Sequence, residues 1–98
     1  MTNKDTSTVF TVELSERAVA MMINGTADSL FQLERGIPGT KGARIEDYLW
    51  SDVYTDGFPV QMQFRKTNPL VIEIPGTYRF RNEGTDDEQA LVDVTVFK

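Results

Sequence analysis

Carboxylates gather in two runs, Glu46-Asp47 and Asp86-Asp87-Glu88, and closely placed carboxylates can hold a hard cation or share catalytic protons. Neither run has the D-x-[DN]-x-[DN]-G spacing of a calcium loop, so both read as solvated acidic surface and no metal site is expected. The chain contains no histidine and no cysteine. That removes the commonest general base, the thiolate nucleophile and the thiolate metal ligand together. A Ser-His-Asp arrangement is excluded; a Ser-Lys pair stays open, with no spacing that favours one. The expectation is a non-enzyme with no catalytic residue and no cofactor.

Binding is better represented than reactivity. Gly36 to Arg44 reads as three Gly-X-Y triplets, too few for a triple helix, and so as a flexible loop that offers Lys41 and Arg44 to a partner. Its glycines and lysine do not follow the G-x-x-x-x-G-K-[ST] order that cradles phosphates. Tyr48, Trp50, Tyr54 and Phe58 follow within a short span. Three uses fit such aromatics: core beneath a long connection, anchors of a protein interface, or a stacking platform for a glycan. Asn24-Gly25-Thr26 matches a glycosylation acceptor formally but reads as a tight hairpin turn.

The whole chain sets limits on what these residues can serve. Its 98 residues suit one compact domain, and 40% hydrophobic with 26% charged residues is globular composition. With 10 basic against 15 acidic side chains the net charge is −5, the wrong sign for a phosphate backbone. Nucleic acid is therefore not an expected partner. No apolar stretch approaches bilayer length, and the polar start, Met1 to Thr8, lacks the apolar run of a signal peptide. The reading is one sandwich domain over 8–98 preceded by a flexible arm at 1–7, with Thr6 and Thr8 as further interface candidates and an exposed acidic loop at 84–89.

The elements that must position these groups are short strands. Period-two alternation runs through Phe10, Val12 and Leu14; Phe58, Val60, Met62 and Phe64; Leu70, Ile72 and Ile74; Tyr78 and Phe80; and Val92, Val94 and Val96. Weaker candidates are Ala18 to Ile23 and Ser29 to Arg35, the latter with Phe31 and Leu33 inward. Turn pairs punctuate them at Asn24-Gly25, Pro38-Gly39, Asp56-Gly57, Pro75-Gly76 and Glu83-Gly84. Ser15 to Met22 and Ala43 to Tyr54 fit a helix as well as a strand; in the strand form Tyr48, Trp50 and Tyr54 share a face. The fold class expected is all-β: a single antiparallel β-sandwich, immunoglobulin-like or jelly-roll-like, with at most one short helix at about 43–54.

From residue 29 onward the order of features resembles the small β-sandwich structural proteins of tailed-phage particles. The pieces that carry the resemblance are Phe31-Gln32-Leu33-Glu34-Arg35, the glycine loop Gly36 to Gly42, Trp50 with Val53, Glu73 to Arg81 with its Pro-Gly-Thr-Tyr-Arg-Phe-Arg core, and Val92 to Val96. The segment Ala43 to Tyr54 departs from the group, being longer and more acidic than its usual Asp-Gly-Gly turn. The resemblance implies a non-enzymatic virion component, a capsid decoration or cement protein, made in the host cytoplasm without a signal peptide. Its implied partner is the major capsid protein or another virion protein, with assembly as a homo-oligomer. The alternative is a virion-attached module that binds a glycan or receptor through Tyr48, Trp50 and Tyr54.

Overall fold

The computed structural model describes residues 8–25, 29–63, 66–84 and 90–98. Ten strands follow in order: β1 Phe10–Val12, β2 Arg17–Ile23, β3 Leu30–Pro38, β4 Tyr48–Asp52, β5 Tyr54–Thr55, β6 Phe58–Pro59, β7 Gln61–Gln63, β8 Leu70–Ile72, β9 Gly76–Asn82 and β10 Leu91–Phe97. Every pairing among them is antiparallel. A larger sheet runs β1-β9-β3-β4 with β7 also on β3, a smaller one runs β10-β2-β8, and β5 and β6 form a hairpin of their own. This is the all-β sandwich that the alternation predicts, and both segments that could have been helical are extended, apart from a 3-10 turn at Ile45–Asp47.

Alternation explains the core. Val12, Phe31, Leu33, Met62, Tyr78 and Phe80 of the larger sheet meet Ala18, Ala20, Met22 and Ile72 of the smaller one in a single buried cluster. Phe10 stacks on Tyr78 and Phe80, with ring centroids at 5.8 and 6.0 Å. Four expected inward residues are not inside, Val96 of β10 among them at 38% exposed. Leu14 is 83% exposed in the reversal between β1 and β2, Ile74 is exposed beyond the end of β8, and Phe58 stands outside the sandwich on the β5–β6 hairpin. Phe64 lies outside the described residues, as do the expected arm 1–7 and residues 85–89 of the expected acidic loop.

The turns explain where the alternation breaks. Asp56 and Gly57, at φ 54° and 83°, make the two-residue left-handed turn that Asp-Gly favours, so the chain folds back there and Phe58 pairs with Thr55. Asn24 also has positive φ, at 60°, but β2 and β3 belong to different sheets, so Asn24-Gly25 starts a crossing and not a hairpin. Gly76 is needed for space: a Cβ there would lie 2.8 Å from Arg35 Nε and 3.1 Å from the Tyr78 hydroxyl. That hydroxyl donates to the Ile74 carbonyl at 2.6 Å, four residues back, and pins the β8–β9 corner. Burial pushes the Tyr78 phenol above its ordinary range, partly opposed by the Arg35 charge.

One edge of β3 serves two partners in succession. β7 pairs at Leu30 to Gln32 and β4 at Glu34 to Pro38, while β9 runs along the other edge. The change of partner occurs at Leu33, where three backbone bonds close a ring: Val53 N–H to the Leu33 carbonyl at 3.0 Å, Leu33 N–H to Val60 at 3.0 Å, and Val60 N–H to Val53 at 2.8 Å. The Gln32 side-chain amide covers the same three carbonyls, donating to Leu33, Val53 and Val60 at 2.9, 3.3 and 3.2 Å. Gln61 holds that amide in orientation by donating to its oxygen at 3.3 Å. Only 2% of Gln32 is exposed, so its donors have no water to turn to.

Replacing Gln32 with leucine should therefore cost about 1–3 kcal/mol, because one buried and two part-buried carbonyls lose their second donor. Gln32→Glu should cost more at neutral pH, since a carboxylate would face three carbonyl oxygens. Folding must then keep the introduced carboxyl protonated, which raises its folded pKa above the unfolded value of about 4.3, so the defect is full above the folded pKa and shrinks as pH falls from there to about 4.3. Urea titrations at pH 4 and pH 7 read this directly; equal destabilisation by the two substitutions at both pH values would contradict the role given to the amide.

Candidate functional site

Three surfaces carry the residues with binding chemistry. The first is the outer face of the larger sheet, where alternation places Gln32, Glu34 and Gly36 of β3 beside Arg81, Arg79 and Thr77 of β9, and beside Gln61, Asp52 and Trp50 of the opposite edge. Trp50 lies across Gly36: a Cβ on that glycine would come within 2.8–2.9 Å of the six-membered ring. Glycine inside a strand often marks such a close approach. Gly36 is thus a strand residue that seats an indole, and not the first residue of a flexible loop. Tyr48 joins the group, its ring centroid 6.2 Å from that of Trp50.

The indole is already engaged by a cation. The Arg79 guanidinium lies 4.2 Å from the Trp50 ring centroid, a favourable cation–π geometry. Arg79 Nε also donates to Glu34 Oε1 at 2.6 Å, and Arg81 Nη1 donates to Glu34 Oε2 at 2.6 Å and to Asp52 Oδ1 at 3.0 Å. Glu83 takes Arg81 Nε from the far side at 2.5 Å. Asp52 first, and then Glu83, hold the Arg81 guanidinium in its charged form, above its ordinary range and against a smaller opposing effect of burial. The Glu34 side chain is 5% exposed and accepts a guanidinium on each oxygen. The face is an ionic and aromatic network in which these charges pair with one another.

The second surface is the β5–β6 hairpin and the groove at its foot. Val53, Thr55 and Val60 on one side and Val71, Glu73 and Ile74 on the other enclose a space of about 110 Å³ floored by Leu33 and Tyr78. An apolar cavity of about 150 Å³ accepts benzene, so this one suits a single aliphatic side chain. Phe58 pairs with Thr55 and so shares its face of the hairpin, on the groove side, whereas Tyr54 pairs with Pro59 on the other face. Phe58 is 73% and Tyr54 60% exposed.

The third surface is the β3–β4 connection, where Lys41 and Arg44 are both exposed and Arg44 sits 3.7 Å from Glu46 in an ion pair open to water. Of the interface candidates, then, Tyr48 and Trp50 are brought together, Tyr54 is on a separate hairpin, Lys41 and Arg44 are on a loop, and Thr8 is exposed just before β1. Thr6 lies outside the described residues. Tyr48, Trp50 and Tyr54 do not form one platform, because Val53 turns the chain out of β4 before Tyr54. Glu34, Arg79 and Arg81 do not stand out in the sequence as surface candidates, whereas Phe58 belongs to the aromatic group but is also read as an inward strand residue. The alternation Thr77, Arg79, Arg81 on the outward side of β9 was the available signal for the two arginines. Among the described residues no three His, Cys, Asp or Glu side chains are placed to hold a metal ion.

Trp50 is the chain's one tryptophan, so its seat can be followed by fluorescence. Gly36→Ala should displace the indole from the sheet, red-shift its emission and cost about 1–3 kcal/mol, the range for overpacking a filled site. Unchanged emission with unchanged stability would show that the ring does not rest on Gly36.

No protein-family model, curated protein or solved structure matches this chain, and the reading of its surfaces rests on their own geometry.

Proposed function

We propose that this chain is a non-enzymatic structural protein of a tailed-phage particle that attaches to the capsid or to another virion protein through the β5–β6 hairpin and the groove beside it. The observation that carries this reading is the exposure of Phe58 on a hairpin whose root is fixed. Val53 and Val60, which flank the hairpin, are both tied into the backbone ring under Gln32. A large aromatic carried on a hairpin with a fixed root offers contact area at a defined place, which is what an interface anchor requires. The exposed Val71 and Ile74 across the groove extend the same apolar surface.

The ionic face of the larger sheet serves the same purpose differently. Its charges are satisfied within the molecule, so it keeps the particle's exterior polar without demanding a partner. The glycan reading is weakened by the same geometry, because Arg79 lies against the Trp50 ring and Tyr54 stands on another element.

Cosedimentation of the purified chain with heads of the phage that encodes it should show saturable attachment. Phe58→Ala combined with Ile74→Ser should weaken attachment about tenfold or more, as loss of an interface anchor does, while leaving the folding transition within about 0.5 kcal/mol, as exposed substitutions do. Absence of attachment by the unaltered chain would overturn the proposal, and specific retention on a glycan array lost with Trp50→Ala would favour the alternative.

A further inference from the structure

β10 is the longest edge strand among the described strands and has seven residues, Leu91–Phe97. The direction of its backbone groups follows from its neighbour. Met22 bonds the Asn68 side chain with both its N–H, at 2.9 Å, and its carbonyl, at 3.3 Å, so Met22 faces the β8 side of β2. By two-residue alternation Arg17, Val19, Met21 and Ile23 face the other way, toward their partners Phe97, Thr95, Asp93 and Leu91. Val92, Val94 and Val96 therefore direct their N–H and carbonyl groups away from β2, where no described segment bonds them.

Edge strands are ordinarily guarded by shortness, proline, lysine or a bulge. β1 and β8 have three residues each, and Pro69 and Pro75 flank β8. β10 has no proline or lysine within its bounds and pairs with β2 without a bulge along its whole length. Beside it lies an open cleft of about 370 Å³ between Thr8 to Phe10 and Val92 to Val94.

The sequence of β10, Leu-Val-Asp-Val-Thr-Val-Phe, is close to symmetric about Val94. Antiparallel pairing with a second β10 centred there sets Val94 against the second copy's Val94, and Val92 against its Val96. Each of these three pairs uses outward-facing groups and exchanges two hydrogen bonds, about six in all. On the solvent face Leu91 meets the second copy's Phe97, and Asp93 meets its Thr95, a carboxylate beside a hydroxyl donor. Centring one residue earlier would oppose Asp93 to itself, and one residue later would set Val92 against Lys98, outside the strand. We propose that two copies of this chain join through β10 in this register, about a two-fold axis at Val94, to form a continuous six-stranded sheet.

The occupant of this edge is thus a second copy of the chain, and the inference stands on β10 alone, independent of any virion role. Exposed Met21 and Ile23 beside Leu91 would continue into the second copy's Phe97, giving one apolar band across the joined sheets. A ribbon contact of seven residues falls at or below the roughly 1,200 Å² end of standard interfaces, so the association should be micromolar.

Sedimentation equilibrium of the purified full chain over about 1–500 μM should show a monomer–dimer equilibrium with a dissociation constant in the tens of micromolar. Thr95→Asp, which sets a like charge opposite Asp93 twice across the axis, should weaken it about tenfold, and Thr95→Lys, which sets an opposite charge there, should tighten it by about fivefold. Val94→Pro should abolish dimerisation, because the N–H it removes points away from β2 and is used only between copies. Thr95 is exposed, so its two substitutions read the interface even where Val94→Pro disturbs the fold. A wild-type chain that stays monomeric throughout, or a dimer indifferent to both Thr95 substitutions, would overturn the proposal.

Discussion

The two N–H groups of the Gln32 side chain, shared among the carbonyls of Leu33, Val53 and Val60, sit where one strand edge must be divided between two partners. A carbonyl has two lone pairs, and at this point each already holds one backbone donor from the ring that the three residues form. The amide supplies the second donor. Without it, a β-strand could still change partner, but three carbonyl oxygens would converge with only their backbone bonds to offset their mutual repulsion. The hairpin β5–β6 exists because β4 and β7 part company at this junction, and its rigidity at the root follows from the same bonds.

Faces diverge from there. The inner side of the larger sheet is apolar, built from Phe31, Leu33, Met62, Tyr78 and Phe80 against the small alanines of β2. The outer side is filled by Trp50, Arg79, Glu34, Arg81 and Asp52, which satisfy one another. A buried carboxylate such as Glu34 contributes little net stability compared with an apolar replacement of equal shape, yet removing one partner leaves charge stranded. Its structural effect is on register: Glu34 can meet both arginines only when β3 and β9 are aligned as observed, since a one-residue slip would send these side chains to the opposite face. On the outer side of the smaller sheet the apolar residues Met21, Ile23, Leu91 and Phe97 are exposed, with the Arg17 guanidinium 6.0 Å from the Phe97 ring centroid.

How much of this was legible depended on whether a residue's neighbours in sequence were also its neighbours in space. Phe31, Leu33, Tyr78 and Phe80 could be placed inward because each alternates with polar residues in its own strand, and the sheet then faces one core. The sandwich followed from several such runs. Phe58 could not be placed, because its run toward Phe64 keeps perfect alternation while the Asp56-Gly57 turn, two residues earlier, folds it into a separate hairpin. Gln32 and Glu34 read as ordinary outward polar residues; their burial comes from side chains of β4, β7 and β9, far away in sequence. Gly36 looked like the start of a glycine loop because the indole that requires it to lack a Cβ is fourteen positions further on. The candidate surface was partly legible: the aromatic concentration was visible, but its division between Tyr48 with Trp50 and Tyr54 with Phe58 depended on the junction.

The binding surfaces follow from this arrangement. A division of one edge between two strands ejects the aromatic hairpin and opens the groove at its foot, and among the described strands β10 is the longest edge of the smaller sheet. Amide hydrogen exchange followed by NMR tests the junction most directly. The account predicts that the amides of Leu33, Val53 and Val60 are protected together, nearly to the global unfolding free energy, while those of Thr55 and Phe58 in the hairpin exchange far faster. Rapid exchange at Val53 and Val60, equal to that of the hairpin they flank, would contradict it.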